Sequence, residues 1–298
     1  MTYSDNKATP GVLRDVFAGR EFSFTPSDFR QIADMMNHDA GIAFAEAKAP
    51  LVYSRLVKRL RLLGVESFKQ YCELVEGPHG ADERQNMVAA LTTNVTRFFR
   101  EPHHFEHLKA HVLPDLLDEV RRGGSLRIWS AGCSTGEEPY SIALTILSLM
   151  GDAHRFDIKI LATDINKRVL NQAHRGEYEE SALGPVSRQQ RAAWFVPGAE
   201  RKGEKIWSAG KELRALVTFR ELNLKADWPM KQAYHAVFCR NVVIYFEEHI
   251  RSQIWDGIAS LLAPQGWLYI GHSERISLSG PFDLKGYTTY RVKESKGR

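Results

Sequence analysis

The sequence predicts an α/β fold in which a parallel sheet is covered by helices, with an all-helical domain in front of it and a small antiparallel β insertion. Three observations predict it. From about Thr25 to Asn94 no strand pattern emerges, while Leu51–Leu63, Ser67–Glu76 and Ala81–Leu91 repeat apolar residues at helical spacing. After Gly123-Gly124 the pattern changes to strand and helix in alternation, which favours a parallel sheet with helices on its faces. Residues 177–215 interrupt that alternation with a stretch too long to be a simple connection.

The elements follow in order. Residues 1–20 lack periodicity and read as a disordered leader. A helical domain is expected over 21–93, opened by Thr25 as cap and Pro26 at the first helical position. Residues 94–123 form a linker loop and a helix entered at Glu101-Pro102. The second domain spans 124–298, with strands at Leu126–Ser130, Ile158–Thr163, Val217–Glu221, His235–Arg240 and Trp267–Gly271. Its helices are expected at Pro139–Met150, Lys167–Arg175 and Glu248–Leu262. Within the insertion, Trp194–Val196, Lys205–Ser208 and Leu213–Phe219 are candidate antiparallel strands, and Pro281–Lys293 reads as one closing strand.

Composition excludes several classes. A length of 298 residues suits a main domain plus a smaller one. Forty basic against 36 acidic residues leave a net charge of +4, too small to demand nucleic acid as partner. No apolar run approaches the roughly 18 residues of a membrane span, and Met1 to Gly19 lacks the core of a secretory signal, so a cytoplasmic protein is expected. Cys72, Cys133 and Cys239 are widely spaced, which argues against disulfides and a zinc site. His103-His104 has no second cluster of matching spacing, so no metal is expected.

The chemistry concentrates at strand ends. Leu126–Tyr140 reads as a strand, a loop with Gly132 and Gly136, and a helix. Glu137 and Glu138 stand where a dinucleotide site would seat its pyrophosphate, so a ligand carrying positive charge suits the loop better. S-adenosylmethionine, with an ammonium and a sulfonium, meets that condition. Asp164 ends the second strand, where a carboxylate accepts ribose hydroxyls. Asn223-Leu224 and Arg240-Asn241-Val242 end the third and fourth strands, and an Asn amide there both donates and accepts.

Four motifs in order, Leu91-Thr-Thr-Asn-Val-Thr-Arg-Phe-Phe-Arg-Glu, Ser134-Thr-Gly-Glu-Glu-Pro-Tyr-Ser, Cys239-Arg-Asn-Val-Val-Ile-Tyr-Phe and Gly271-His-Ser-Glu, closely resemble the chemotaxis receptor methyltransferase family (CheR type). The resemblance covers about 25–293 and implies a Rossmann-like S-adenosylmethionine-dependent methyltransferase that esterifies glutamate side chains of chemoreceptors, with S-adenosylhomocysteine as product. It implies that Asn94, Thr96 and Arg100 close over the amino-acid end of the cofactor. Glu138 and Asp164 would hold its amino-acid and ribose parts, Asn223 and Leu224 its adenine, and Asn241 with Val242 the remaining wall.

Arg100 and Tyr245 are the candidates for orienting the acceptor carboxylate, since a guanidinium grips a carboxylate and a phenol donates to it. Cys133 and Cys239 flank the site, but no activating base accompanies them. On the helix Leu51–Gly64, Arg55, Lys58, Arg59 and Arg61 form a cationic arc opposite an apolar one. The resemblance implies that this domain meets the acidic methylation helices of chemoreceptors. It also places the insertion at the family's small β-subdomain, which in some members adds a receptor's C-terminal tail peptide as a strand. A nucleic-acid methyltransferase is disfavoured because the fourth strand lacks the Asn/Asp-Pro-Pro-aromatic element. A non-catalytic cofactor sensor is disfavoured by the presence of both Arg100 and Tyr245. Nothing calls for an obligate dimer, so a monomer is expected.

Overall fold

The computed structural model of the chain describes residues 21–92, 94–201, 203–277 and 280–293, so the expected leader lies outside the described residues. The chain divides into two compact units, one ending at Thr93 and the other beginning at Asn94.

In the first unit α1 (Pro26–Ala40) starts with a capping box, the Thr25 side chain and the Asp28 side chain each satisfying the other residue's backbone N–H. Helices α2 (Ala49–Leu63), α3 (Phe68–Glu76) and α4 (Ala81–Leu91) follow. Gly41 and Gly64 end α1 and α2 in the left-handed conformation. The apolar arc of α2 buries Val52, Leu56, Val57 and Leu60, and Tyr53 stacks on Phe68 with ring centroids 5.3 Å apart.

In the second unit, a helical segment of α5 (Pro102–His107) and α6 (Leu113–Arg121) passes through a π turn at Leu108–Val112. Pro114 accounts for the turn, because it lacks the N–H for the regular bond and crowds the carbonyl four residues earlier. The main sheet contains β1 (Leu126–Ala131), β2 (Ile158–Asp164), β6 (Val217–Glu221), β7 (Tyr234–Cys239) and β8 (Leu262–Ile270), with β9 (Phe282–Gly286) and β10 (Thr289–Val292). Their order is β6-β2-β1-β7-β8-β10-β9. Five strands are parallel; β10 joins β8, and β9 joins β10, antiparallel. Strand β1 is buried on both faces, sending Leu126 and Ile128 into one apolar cluster and Trp129 and Ala131 into the other. Helices α7 (Glu137–Leu149), α8 (Lys167–Arg175) and α11 (Glu248–Leu261) complete the alternation.

Two sequence expectations need correction. The insertion does form a three-stranded antiparallel sheet, but from β3 (Glu177–Glu179), β4 (Phe195–Arg201) and β5 (Glu204–Ala209) in the order β3-β5-β4. A short helix, α9 (Arg188–Trp194), precedes β4. The stretch Leu213–Phe219 is no strand of this sheet: Lys211–Leu216 forms α10, and β6 begins at Val217. The tail is a pair of strands rather than one, because the chain reverses at Tyr287 and Thr288, with Thr288 at φ +52°. Among the described residues no helix is long and apolar enough to cross a membrane.

Candidate functional site

Strand order reverses between β1 and β7, so the crevice for a ligand opens outside their carboxyl ends. The loop after β1 is shaped by left-handed residues Gly132, Ser134 and Gly136. A Cβ on Gly132 would collide with the Val242 side chain, and one on Gly136 with Tyr178 and Ala173. Both glycines therefore let neighbouring segments close on the loop. Tyr178, from β3 of the insertion, also donates to the Thr135 carbonyl at 2.9 Å, so the small sheet braces the crevice.

Asp164 ends β2 and is almost buried. Its two oxygens accept the Ser134 and Asn166 backbone N–H groups, each at 2.9 Å. Burial pushes its carboxyl pKa up, opposed by these amides and that of Ile165. A carboxylate offers about four acceptor sites, so Asp164 retains capacity for hydroxyl donors. Glu137 is buried, takes a 2.6 Å bond from the Thr135 hydroxyl, and has its carboxyl pKa raised by burial. Glu138 has both oxygens engaged: Ser130 donates at 2.6 Å and the Arg240 guanidinium at 2.7 Å. The loop is thus less negative than the sequence implied, because Arg240 neutralises Glu138. The donor set still fits a nucleoside bearing cationic groups, since acceptors line the loop and the protein's own carboxylates occupy the α7 N-terminus.

Arg240, which the sequence marks only as the end of the fourth strand, has the most partners in the site. Its side chain is 2% exposed, and beyond Glu138 it reaches the Arg100 carbonyl, Glu101 Oε2 at 3.4 Å and His104 Nδ1 at 3.2 Å. Its guanidinium also lies over the Phe105 and Phe238 rings. The signal was present, since an arginine ending a buried apolar strand needs a carboxylate partner. Glu274 ends the Gly271-His-Ser-Glu motif. It is buried and accepts the N–H groups of Asn241 and Val242 at 2.9 Å, of Val243 at 3.0 Å and of Gly271. This fixes the loop after β7, where Asn241 has φ +60°.

The structure brings the Asn94–Glu101 loop to the crevice. The Asn94 carbonyl accepts from Ser134 Oγ at 2.9 Å, and the Phe99 N–H donates to Ser141 Oγ at 2.9 Å. Thr96 and Arg100 lie half-buried on this loop, and Arg100 donates to the Val95 carbonyl at 2.9 Å. Asn223 turns its side-chain oxygen to the Lys225 N–H at 3.0 Å, while Leu224 is buried. Leu224 also borders a cleft of about 460 Å³ formed mainly with α11. Tyr245 closes a 3-10 turn after Val242 and is half-buried; its hydroxyl makes no hydrogen bond among the described residues.

Cys133 and Cys239 are buried, and burial raises their thiol pKa values well above normal, which disfavours the nucleophilic thiolate. His104 is a core residue with Nε2 2.8 Å from Thr288 Oγ1, and no potential metal-binding group occurs among the described residues. In the first unit the cationic arc of α2 is narrower than expected. Arg59 is tied to Glu83, Arg55 donates to the Leu91 and Thr92 carbonyls at 2.7 and 3.0 Å, and Arg61 pairs with Glu21. Lys58 and Arg61 are the exposed members.

Comparison with known proteins matches residues 94–291 to "CheR methyltransferase, SAM binding domain" and residues 27–92 to "CheR methyltransferase, all-alpha domain". A probable chemotaxis protein methyltransferase of Rhizobium etli is 53% identical over 86% of this chain and 96% of its own. Chemotaxis protein methyltransferase 2 of Pseudomonas aeruginosa is 43% identical over 87% and 90%. The chemotaxis protein methyltransferase of Escherichia coli is 39% identical over 91% and 93%. With two contiguous domains matched in order and relatives covered nearly end to end, the chain belongs to the CheR family of S-adenosylmethionine-dependent methyltransferases.

Proposed function

We propose that the protein transfers a methyl group to glutamate side chains of chemoreceptors in the cytoplasm, forming glutamate methyl esters for chemotaxis adaptation. The observation that supports this reading is the Asn94–Glu101 loop, whose Asn94 carbonyl and Phe99 N–H bond Ser134 and Ser141 beside the crevice, in a chain of the CheR methyltransferase family. S-adenosylmethionine, when bound, supplies an electrophilic methyl group on a sulfonium. Asn94, Thr96, Arg100 and Glu138 would hold its amino-acid end, and Asp164 its ribose. Asn223 and Leu224 would hold the adenine, with Asn241 and Val242 as the wall.

A glutamate acceptor, with an ordinary pKa near ~4.3, is ionised at neutral pH, so no general base is required. The protein's task is then alignment, an effect worth up to roughly 7–11 kcal/mol in model systems. Arg100 and Tyr245 would orient the acceptor, one as a fork of donors and the other as a single donor. Lys58 on α2, with Arg55 beside it, offers positive charge to acidic receptor helices, and Arg61 would join them on leaving Glu21. The small sheet leaves β4 as an edge strand, which suits pairing with a receptor tail peptide.

The test is label transfer from methyl-labelled S-adenosylmethionine to receptor-containing membranes. Label in a base-labile ester on the receptor is the expected result. Binding without transfer, or label stable to base, would overturn the assignment.

A further inference from the structure

We propose that Arg240 is a positioning residue for methyl transfer, which sets the Arg100 backbone and Glu138 in their working places without itself touching the acceptor. The inference rests on the function proposed above and concerns how the same site is assembled.

One guanidinium links three segments far apart in sequence. From the end of β7 its Nε holds Glu138 at the start of α7, and its Nη1 reaches the Arg100 carbonyl, Glu101 and His104. Since Arg240 can only donate, His104 Nδ1 accepts, which leaves the Nε2–H for Thr288 Oγ1 at 2.8 Å. The Thr288 hydroxyl in turn donates to the Tyr287 carbonyl at 2.8 Å. His104 is therefore a neutral spacer that fixes Arg240 from behind. Glu101 is held on its far side by the His272 backbone N–H at 3.1 Å and ring Nδ1 at 2.9 Å.

The backbone here is costly. Phe99 at φ +50° and Glu101 at φ +56° flank Arg100, and both are non-glycine residues in the left-handed region. Such backbone persists only where surrounding contacts over-determine it. The contacts that do so are the Phe99 N–H on Ser141, the Arg100 carbonyl on Arg240, and Glu101 between Arg240 and His272. Releasing the middle contact would free the residue that carries the candidate catalytic guanidinium. A lysine in place of Arg240 would keep the charge and lose the fork, and it could not serve all these acceptors at once.

The experiment is a double-mutant cycle on initial methylation rates, with Arg240→Lys and Arg100→Lys alone and combined. Displacing a catalytic group by about 1 Å can cost about 10²-fold. We expect Arg240→Lys to slow turnover by about 10²-fold alone, and by less than about 3-fold in the Arg100→Lys background, because residues acting as a unit are non-additive. Equal losses in both backgrounds would overturn the inference in favour of general structural damage, as would unchanged turnover of Arg240→Lys. Should Arg240→Lys not fold, Glu101→Gln tests the same link through the same cycle, with the same Arg100-dependent loss expected and an Arg100-independent loss overturning it. S-adenosylhomocysteine binding and label transfer by the unaltered protein report on the underlying function separately, so the two failures are distinguishable.

Discussion

Each unit contains an arginine paired with a buried glutamate, and the two pairs differ in what they hold. In the helical unit Arg59 Nε donates to Glu83 at 2.9 Å, while the Tyr71 hydroxyl and the Asn86 amide fill further acceptor sites of that carboxylate at 3.0 Å each. Burial acts to raise the Glu83 pKa, but bonds from Arg59, Asn86 and Tyr71 outweigh it and hold the carboxyl below its ordinary value. Every partner there sits on a regular helix, α2, α3 or α4, so the pair fastens structure that is already low in strain. Arg240 instead ties irregular backbone, the Arg100 carbonyl and Glu101 in the left-handed region, to Glu138 on the first turn of α7. The same chemistry supports stability in one unit and geometry in the other.

Four substitutions would break or sharpen that contrast, in descending order of expected effect. Arg100→Ala should abolish turnover, at least about 10²-fold by analogy with removal of one fixed charge-stabilising donor. Near wild-type initial rates in the methylation assay would remove the catalytic assignment. Arg59→Ala leaves Glu83 buried without its cation and should lower unfolding free energy in urea by about 3–5 kcal/mol. The folded fraction should keep its affinity for S-adenosylhomocysteine; a parallel loss of affinity would show that the helical pair is not purely structural.

Asp164→Asn replaces one of two acceptor oxygens by an amide donor that faces one of the two backbone N–H groups, at a cost of about 1–3 kcal/mol. Calorimetry should show product affinity weakened by about tenfold or more, and an unchanged dissociation constant would sever Asp164 from the ribose. The smallest effect concerns His104, whose pKa is lowered from 6.5 to about 2 by burial first and then by the charge of Arg240. Below pH 6.5 the unfolded chain takes up a proton that the folded chain refuses, so this residue's contribution to stability falls as pH falls. The slope is about 1.4 kcal/mol per pH unit. His104→Gln should lack it, and the gap in urea stability between wild type and variant should therefore narrow from pH 6.5 to 5. A constant gap would mean that His104 is not held neutral by Arg240 and burial.

The strands of the main sheet were legible because a strand covered on both faces is a nearly continuous apolar run, as in Leu126–Ala131 and Tyr234–Cys239. The crevice was legible for the same reason: its polar residues stand where those runs stop. What escaped was set by tertiary context. Leu213–Phe219 joins the last residues of a six-residue helix to the first of a strand, and periodicity cannot divide so short a span. The tail reversal uses Thr288 rather than Gly or Asn at its left-handed position, and Gly286 just before it closes β9 rather than taking that conformation, so the turn signal is weak. Arg240 and Glu138 are 102 residues apart in sequence, and no local rule joins them. The narrowing of the α2 cationic arc has the same origin, since Glu83 lies on another helix.

The account turns on one crevice, outside the carboxyl ends of β1, β2, β6 and β7, accepting an adenosine that carries a sulfur-linked amino acid. Titration calorimetry of S-adenosylhomocysteine into the folded, unaltered chain tests this most directly. One site per chain is expected, with affinity weakened in Asp164→Asn; absence of any binding heat together with no competition by S-adenosylmethionine in a label-binding assay would contradict it.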